Sequence, residues 1–177
     1  ILILTADNYN LELDKKLYQN FIYVLSTMLI FNFLGKSFLG DNGSFLIGAI
    51  IGYLIIIFYH NNPTISPFFI LVLLWYPAFE ILFSIIRKLI QKKSPFKPDS
   101  LHLHQLIFLA FNKKKEKKRY FNNLTSITIN FFNFMFYFSG SFFIYSTKKL
   151  ILLIFLYSLS YLFIYKSLYK LQKDNKN

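Results

Sequence analysis

The chain contains no cysteine and few acidic residues, and both deficits restrict what it can be. Without cysteine it can form neither a disulfide scaffold nor a zinc site ligated by thiolates. Only 16% of its 177 residues are charged, against roughly 25% in an ordinary soluble domain. The low charge argues against a typical soluble enzyme, and the 55% of hydrophobic residues excludes a disordered chain.

The charge that is present is mostly of one sign. The chain has 20 Lys and Arg but only 8 Asp and Glu, which gives a net charge of +12 at pH 7. Aromatic residues make up 21% of the chain, and the mean hydropathy is +0.42. A chain that is both apolar and basic is typical of a membrane protein with cationic loops.

Long apolar runs predict the fold class. Crossing about 30 Å of hydrocarbon takes roughly 20 apolar residues in a helix. The sequence therefore predicts an all-α integral-membrane bundle of about five helices, with spans at residues 17–34, 45–59, 65–86, 124–145 and 150–169. The apolar stretch ILILT at the start has no Met before it, so we expect residues 1–177 to be the C-terminal part of one longer polytopic domain.

Basic residues predict the orientation of these spans. Eleven of the 20 Lys and Arg lie between Arg87 and Tyr120. By the positive-inside rule, loop 87–123 is cytoplasmic, and so are loop 35–44 and the C-terminus. The basic run KKKEKKR could also bind nucleic acid or anionic lipid. No nucleic-acid-binding fold is visible between the spans, so we expect contact with membrane lipid and no nucleic-acid partner.

The first unusual polar segment is the pentapeptide GDNGS at residues 40–44, in the predicted loop 35–44. Glycine allows a sharp turn and the close approach of a ligand, and a carboxylate could bind Mg²⁺ together with substrate phosphates. The alternative is a simple turn, with Asn42-Gly43 as the turn pair and Ser44 as the N-cap of the next helix. Local chemistry alone favours the simple turn.

The second polar segment is SPFKPDSLHLHQL at residues 94–106, whose two prolines prevent the preceding helix from continuing. It carries His102 and His104, a pair that shares one face only if the segment is extended. The pair could bind a metal, bind phosphate when protonated, or remain solvated. Phosphate binding suits a basic loop better than zinc binding, because two histidines without a third nearby are a weak signal for zinc.

The third polar feature is Glu80, which follows Pro77 inside the third predicted span. An acidic group at the centre of a bilayer costs roughly 2.5–3.5 kcal/mol, a value quoted for Asp. We therefore expect Glu80 to face a protein interior or a wet cavity. It could serve the function, or it could be a structural partner for a hydroxyl or an amide, such as that of Asn130 or Asn133.

Taken in order, these segments resemble the C-terminal half of the polyprenyl-phosphate N-acetylhexosamine-1-phosphate transferases, relatives of phospho-N-acetylmuramoyl-pentapeptide transferase. The resemblance covers most of Phe31–Leu106, through FLGDNGSFLIG, WYPAFEILFSIIRK and SPFKPDSLHLHQL. Each motif is weak alone. Three motifs in order, separated by the right number of spans, are specific.

The resemblance implies transfer of a sugar 1-phosphate, of N-acetylhexosamine type, from a UDP-sugar to undecaprenyl or another polyprenyl phosphate, with release of UMP. It also implies a requirement for Mg²⁺, with Mn²⁺ as an alternative, and a multi-pass position in a bacterial inner membrane. The product would enter cell-wall or lipopolysaccharide biosynthesis.

By the same resemblance, Asp41 binds the metal and is catalytic together with His102 and His104. The residues implied to bind substrate are Asn32, Phe38, Gly40, Gly43 and Ser44.

The sequence departs from the family pattern in four places. The adjacent acidic pair and the Asn/Asp-rich cytoplasmic motif of the family are absent, the third loop histidine is Gln105 here, and no proline lies between Asn32 and Asp41. We therefore expect residues 1–177 to be inactive alone. The alternative function is a non-catalytic membrane protein, either a degenerate enzyme or a transporter-like bundle.

Overall fold

A computed structural model describes residues 12–97, 101–112 and 118–174 of the chain. These residues form six helices: α1 (Glu12–Phe33), α2 (Gly40–Asn61), α3 (Pro67–Ile90), α4 (Leu103–Phe111), α5 (Lys118–Ser141) and α6 (Thr147–Asp174). The helices fall into two compact units, with α1 and α2 in the first and α3 to α6 in the second.

Three of the described helices, α2, α3 and α6, are long and apolar enough to cross a membrane. The prediction of an all-α membrane protein is thereby confirmed. By helix length and hydropathy, three of the described helices qualify as spans, whereas five spans were predicted. Helices α1 and α5 are long enough but too polar. The polar side chains that dilute their apolar runs include Lys16, Gln19, Asn20 and Asn32 in α1 and Asn122, Asn123, Asn130 and Asn133 in α5.

Helix boundaries also differ from the predicted ones. Helix α2 begins at Gly40 instead of residue 45, so GDNGS is the first turn of a helix and not part of a loop. The predicted loop 87–123 contains the end of α3, the whole of α4 and the start of α5. A first helical turn accepts small and acidic residues, because its amide groups have no acceptor in a preceding turn.

Helices α3 and α6 run parallel to each other and begin at the same level. Hydrogen bonds join them at three levels, each between residues 81 or 83 positions apart in the chain. The bonded pairs are Ser66–Thr147 at 2.8 Å, Trp75–Ser158 at 3.1 Å and Tyr161–Glu80 at 2.5 Å. Ser66 also caps α3 by accepting from the Phe68 amide, and its own amide donates to the carbonyl of Ile144, just before α6.

Trp75 is the point where α3, α5 and α6 meet. Its ring is 5% exposed and packs 5.1 Å from the rings of both Phe79 and Phe136. Tyr161 of α6 meets it edge-on at 6.2 Å. Because the indole N–H donates to Ser158, the burial of this polar group is compensated.

Helices α3 and α5 approach each other closely at Gly140. A Cβ atom placed on Gly140 would lie 2.8 Å from Cγ1 of Val72, a separation that real contacts do not show. Small residues at such crossings allow helices in a membrane to pack tightly. Gly140 is thus required for packing, independently of its backbone conformation.

We expect Gly140→Ala to lower stability by about 1–3 kcal/mol, because the added methyl group forces α5 away from α3. Thermal unfolding of the purified protein in detergent measures this loss. The double variant Gly140→Ala/Val72→Ala should lose less than the sum of the two single variants, since the clashing methyl groups are then absent.

Gly48→Ala is the matched control, because no described atom lies within 4 Å of a Cβ placed there. It should leave the unfolding temperature unchanged or raise it slightly. A Gly140→Ala variant as stable as Gly48→Ala would contradict the proposed packing.

Candidate active site

The first group of candidate residues lies at the start of α2, in the first unit. Gly40 has a φ of +66°, in the left-handed region that glycine tolerates best. Asp41 follows in the first helical turn, where the helix dipole favours a negative charge. The Ser44 hydroxyl donates to the Gly40 carbonyl at 2.8 Å, inside the helix. The alternative interpretation, with Asn42-Gly43 as a turn pair and Ser44 as the N-cap, is therefore wrong.

The other residues of this group surround the same turn. Phe38 precedes α2 and is 82% exposed, so its ring is open to a ligand. A Cβ on Gly43 would lie 2.9 Å from the Leu39 side chain, which accounts for a glycine there. Asn32 belongs to the last turn of α1, where its carbonyl accepts from the Gly35 amide at 2.8 Å. The structure thus collects Phe38 and residues 40–44 on one turn and places Asn32 on the preceding helix.

The second group lies in the second unit, around Glu80 of α3. One oxygen of the Glu80 carboxylate lies 3.0 Å from Nδ1 of His102 and accepts from the backbone amide of Leu103, also at 3.0 Å. The other oxygen accepts from the Tyr161 hydroxyl. Glu80 is 9% exposed, as the cost of a membrane carboxylate requires. Glu80 therefore pairs with a hydroxyl, as the structural alternative allows, but the hydroxyl is that of Tyr161, and neither Asn130 nor Asn133 is the partner found.

Helix α4 begins at the two histidines. His102 is the extended residue before the helix, and His104 is the second helical residue. Their rings stack at 5.6 Å with an interplanar angle of 13°, so both lie on one side of the turn. Gln105 turns back and accepts from the His102 amide at 3.2 Å, which fixes the start of the helix.

Two residues of this site escape an analysis of the motifs alone. Tyr161 is one of 13 tyrosines and lies inside an apolar span. The available signal is its four-residue spacing along α6, where tyrosines recur at 157, 161, 165 and 169 and share one helix face. Gln105 appears as a departure from the family, although it performs a structural role.

Arg87 and Lys88, counted above as orientation signals, are both buried. The Lys88 ammonium donates to the carbonyls of Pro95 and Lys97 at 3.0 and 2.6 Å. The Arg87 guanidinium donates to Ser84 and lies 5.8 Å above the Tyr165 ring. Lys88 therefore fastens the 94–97 turn, which leads to the histidines, onto the end of α3.

The pKa of His104 is lowered below its ordinary value of about 6.5. Burial is the main cause and His102 acts in the same direction, while the Glu80 carboxylate opposes both. His104 is thus neutral at pH 7. Because the unfolded chain binds this proton at higher pH than the folded chain, the contribution of His104 to stability is lost in acid.

The helical membrane fold and the paired histidines beside a buried carboxylate agree with the class of transferase that the motifs resemble. No family model and no solved structure matches the chain. Curated relatives do match, and they confirm the resemblance over about half of the chain.

The undecaprenyl-phosphate alpha-N-acetylglucosaminyl 1-phosphate transferase of Thermotoga maritima is 38% identical over 80 residues, which are 45% of this chain and 26% of that protein. The enzyme of the same name from Pasteurella multocida is 37% identical over 76 residues, 42% of this chain and 21% of that protein. A probable undecaprenyl-phosphate N-acetylglucosaminyl 1-phosphate transferase of Bacillus subtilis is 32% identical over 94 residues, which are 51% of this chain and 26% of that protein. The matched regions span only 21–26% of the length of these relatives.

Lys88→Met should loosen the turn at residues 94–97, because the methionine cannot donate to the two carbonyls. Phe96 is 97% exposed, so chymotrypsin cleavage after this residue reports the loosening. Cleavage should become faster in Lys88→Met and stay unchanged in Lys93→Met, whose side chain is exposed. Equal cleavage rates in the two variants would show that Lys88 does not hold the turn.

A histidine NMR titration should give His104 a midpoint below 6.5. Glu80→Gln should lower the midpoint further, because the carboxylate that favours the imidazolium is then neutral. The His104→Asn variant assigns the signal. A midpoint at or above 6.5 in the unaltered protein would contradict the burial of this ring.

Proposed function

We propose that the chain is part of an enzyme that transfers N-acetylhexosamine 1-phosphate from a UDP-sugar to undecaprenyl phosphate and releases UMP. The observation that carries the proposal is 32–38% identity over about half of the chain to relatives named for this type of transfer. The relatives are named for N-acetylglucosamine, so UDP-N-acetylglucosamine is the first donor to test. Both substrates carry phosphate, and the candidate residues are of the types that bind it.

The start of α2 fits a Mg²⁺ ion shared with substrate. Within the described residues, no three His, Asp or Glu side chains lie close enough together to hold a metal by themselves. Asp41 supplies one exposed carboxylate, and Mg²⁺ usually takes one or two carboxylates and completes its shell with waters and phosphate oxygens. When bound, Mg²⁺ or Mn²⁺ would neutralise charge on the diphosphate. Asp41 positions the ion, and the exposed Phe38 ring offers a stacking surface to a base.

The histidines and the basic residues near them would bind the phosphates of the donor. Phosphoryl transfer depends on positioning and charge neutralisation more than on covalent help from the protein. His104 is neutral at pH 7 and can donate one hydrogen bond to a phosphate oxygen. Lys92, Lys93 and Lys97 are exposed beyond α3 and would raise the local concentration of an anionic donor.

We place this chemistry at the cytoplasmic face of a bacterial plasma membrane. Basic residues follow α3, and the positive-inside rule makes this end cytoplasmic. Because α6 runs parallel to α3, its C-terminal end lies on the same side. Beyond the end of α5, the carbonyl of Ile144 accepts from the Ser66 amide at the start of α3.

The test is UMP release by membranes that contain the full-length protein, supplied with UDP-N-acetylglucosamine and undecaprenyl phosphate. Asp41→Asn should reduce turnover on the order of 100-fold, because the neutral amide no longer holds a divalent cation. Removal of divalent cations with a chelator should abolish turnover, and added Mg²⁺ should restore it. Asn42→Ala, a neighbouring exposed residue, is the matched control and should retain activity.

The outcome also separates the enzyme from a non-catalytic membrane protein. No turnover with any UDP-N-acetylhexosamine would favour a degenerate enzyme. Turnover that persists in Asp41→Asn would remove the proposed role of this carboxylate while leaving the transfer reaction in place.

A further inference from the structure

The Glu80 carboxylate receives hydrogen bonds from two different structural elements. Its Oε1 atom lies 3.0 Å from Nδ1 of His102 and accepts from the Leu103 amide at the start of α4, and its Oε2 atom accepts from the Tyr161 hydroxyl of α6. An amide and a tyrosine hydroxyl are both donors here, so the carboxylate acts as an acceptor at both oxygens.

The hydrogen bond to Glu80 determines which nitrogen of His102 carries the proton. Because a carboxylate has no hydrogen of its own to donate, this contact requires the hydrogen on Nδ1 of His102. Within the described part of the chain, Nδ1 is the ring nitrogen that makes a hydrogen bond, which leaves Nε2 for a ligand. Carboxylates fix metal-bound histidines in the same way, by setting the tautomer and orientation of the ring.

Tyr161 in turn holds the carboxylate. It is fully buried and lies 5.0 Å from the Phe79 ring and 5.5 Å from the Phe83 ring. This packing leaves its hydroxyl little freedom, so Oε2 of Glu80 has a fixed partner and Oε1 is directed to His102. The titratable groups around the histidine are Glu80 and Tyr76 of α3, Tyr161 of α6 and His104 of α4.

We propose that Glu80 is a positioning residue, held by Tyr161, that keeps the proton of His102 on Nδ1 and presents Nε2 to the phosphates of the donor. The part of this proposal that concerns the donor rests on the proposed transferase function. The part that concerns the tautomer does not, and it can be tested without substrate.

The first experiment is ¹⁵N NMR of histidine-labelled full-length protein in detergent at pH 8. The signals are assigned with His102→Asn. We expect His102 to be protonated at Nδ1 in the unaltered protein, and this preference should be lost in Glu80→Gln and weakened in Tyr161→Phe. Tyr157→Phe, on the same helix and in the same aromatic cluster, should leave it unchanged.

Two NMR results would overturn the positioning role. One is a proton on Nε2 alone in the unaltered protein, and the other is an Nδ1 proton that Glu80→Gln does not affect. A merely structural role for Glu80 would lower the unfolding temperature in Glu80→Gln without changing the tautomer of His102.

The second experiment measures UMP release by the same variants. We expect Glu80→Gln to lower kcat/KM for the UDP-sugar by about 10- to 100-fold, with a smaller loss in Tyr161→Phe. Glu80→Gln/His102→Asn should be no worse than His102→Asn alone, because Glu80 acts through this histidine. Additive losses would overturn the proposal. The expected tautomer change in a protein without transferase activity would refute the proposed function and leave the positioning role intact.

Discussion

The geometry of the second unit depends on one buried carboxylate. Glu80 lies in a span, where an acid without partners would be too costly, so donors must reach both of its oxygens. Tyr161 reaches one oxygen only because α6 runs parallel to α3 in the observed register. His102 and the Leu103 amide reach the other only if α4 begins at this depth. The need to satisfy one acid therefore fixes two helices and a candidate catalytic side chain together.

The sequence proposes candidate residues but not their contacts. The order of the motifs points to Asp41, His102 and His104 as candidates, and the burial of Glu80 follows from its place in an apolar run. The partner Tyr161 lies 81 residues further on, and its contact depends on the register of two helices. Local periodicity shows which face of α6 carries tyrosines, but it contains no information about register between distant helices.

Two errors of interpretation have a common physical cause, because one residue type can serve two structural roles. The GDNGS pentapeptide has turn-forming composition, yet small and acidic residues also suit a first helical turn, as they do in α2. Arg87 and Lys88 count as positive charges for orientation, yet their long side chains are buried and hold neighbouring groups. Composition records the residue type, whereas the role depends on which acceptors the fold brings within reach.

Gln105 shows that a departure from the pattern of the resembled family can leave the start of α4 intact. Its side-chain oxygen accepts from the His102 amide, one of the groups that a helix start leaves without a partner. What this position needs is an acceptor that can turn back by three residues, and glutamine meets that need. His102 then contacts Glu80 through its ring and Gln105 through its backbone, so its orientation is determined from both sides. Although Gln105 stands where the family has a third histidine, the positions of His102 and His104 at the start of α4 are retained.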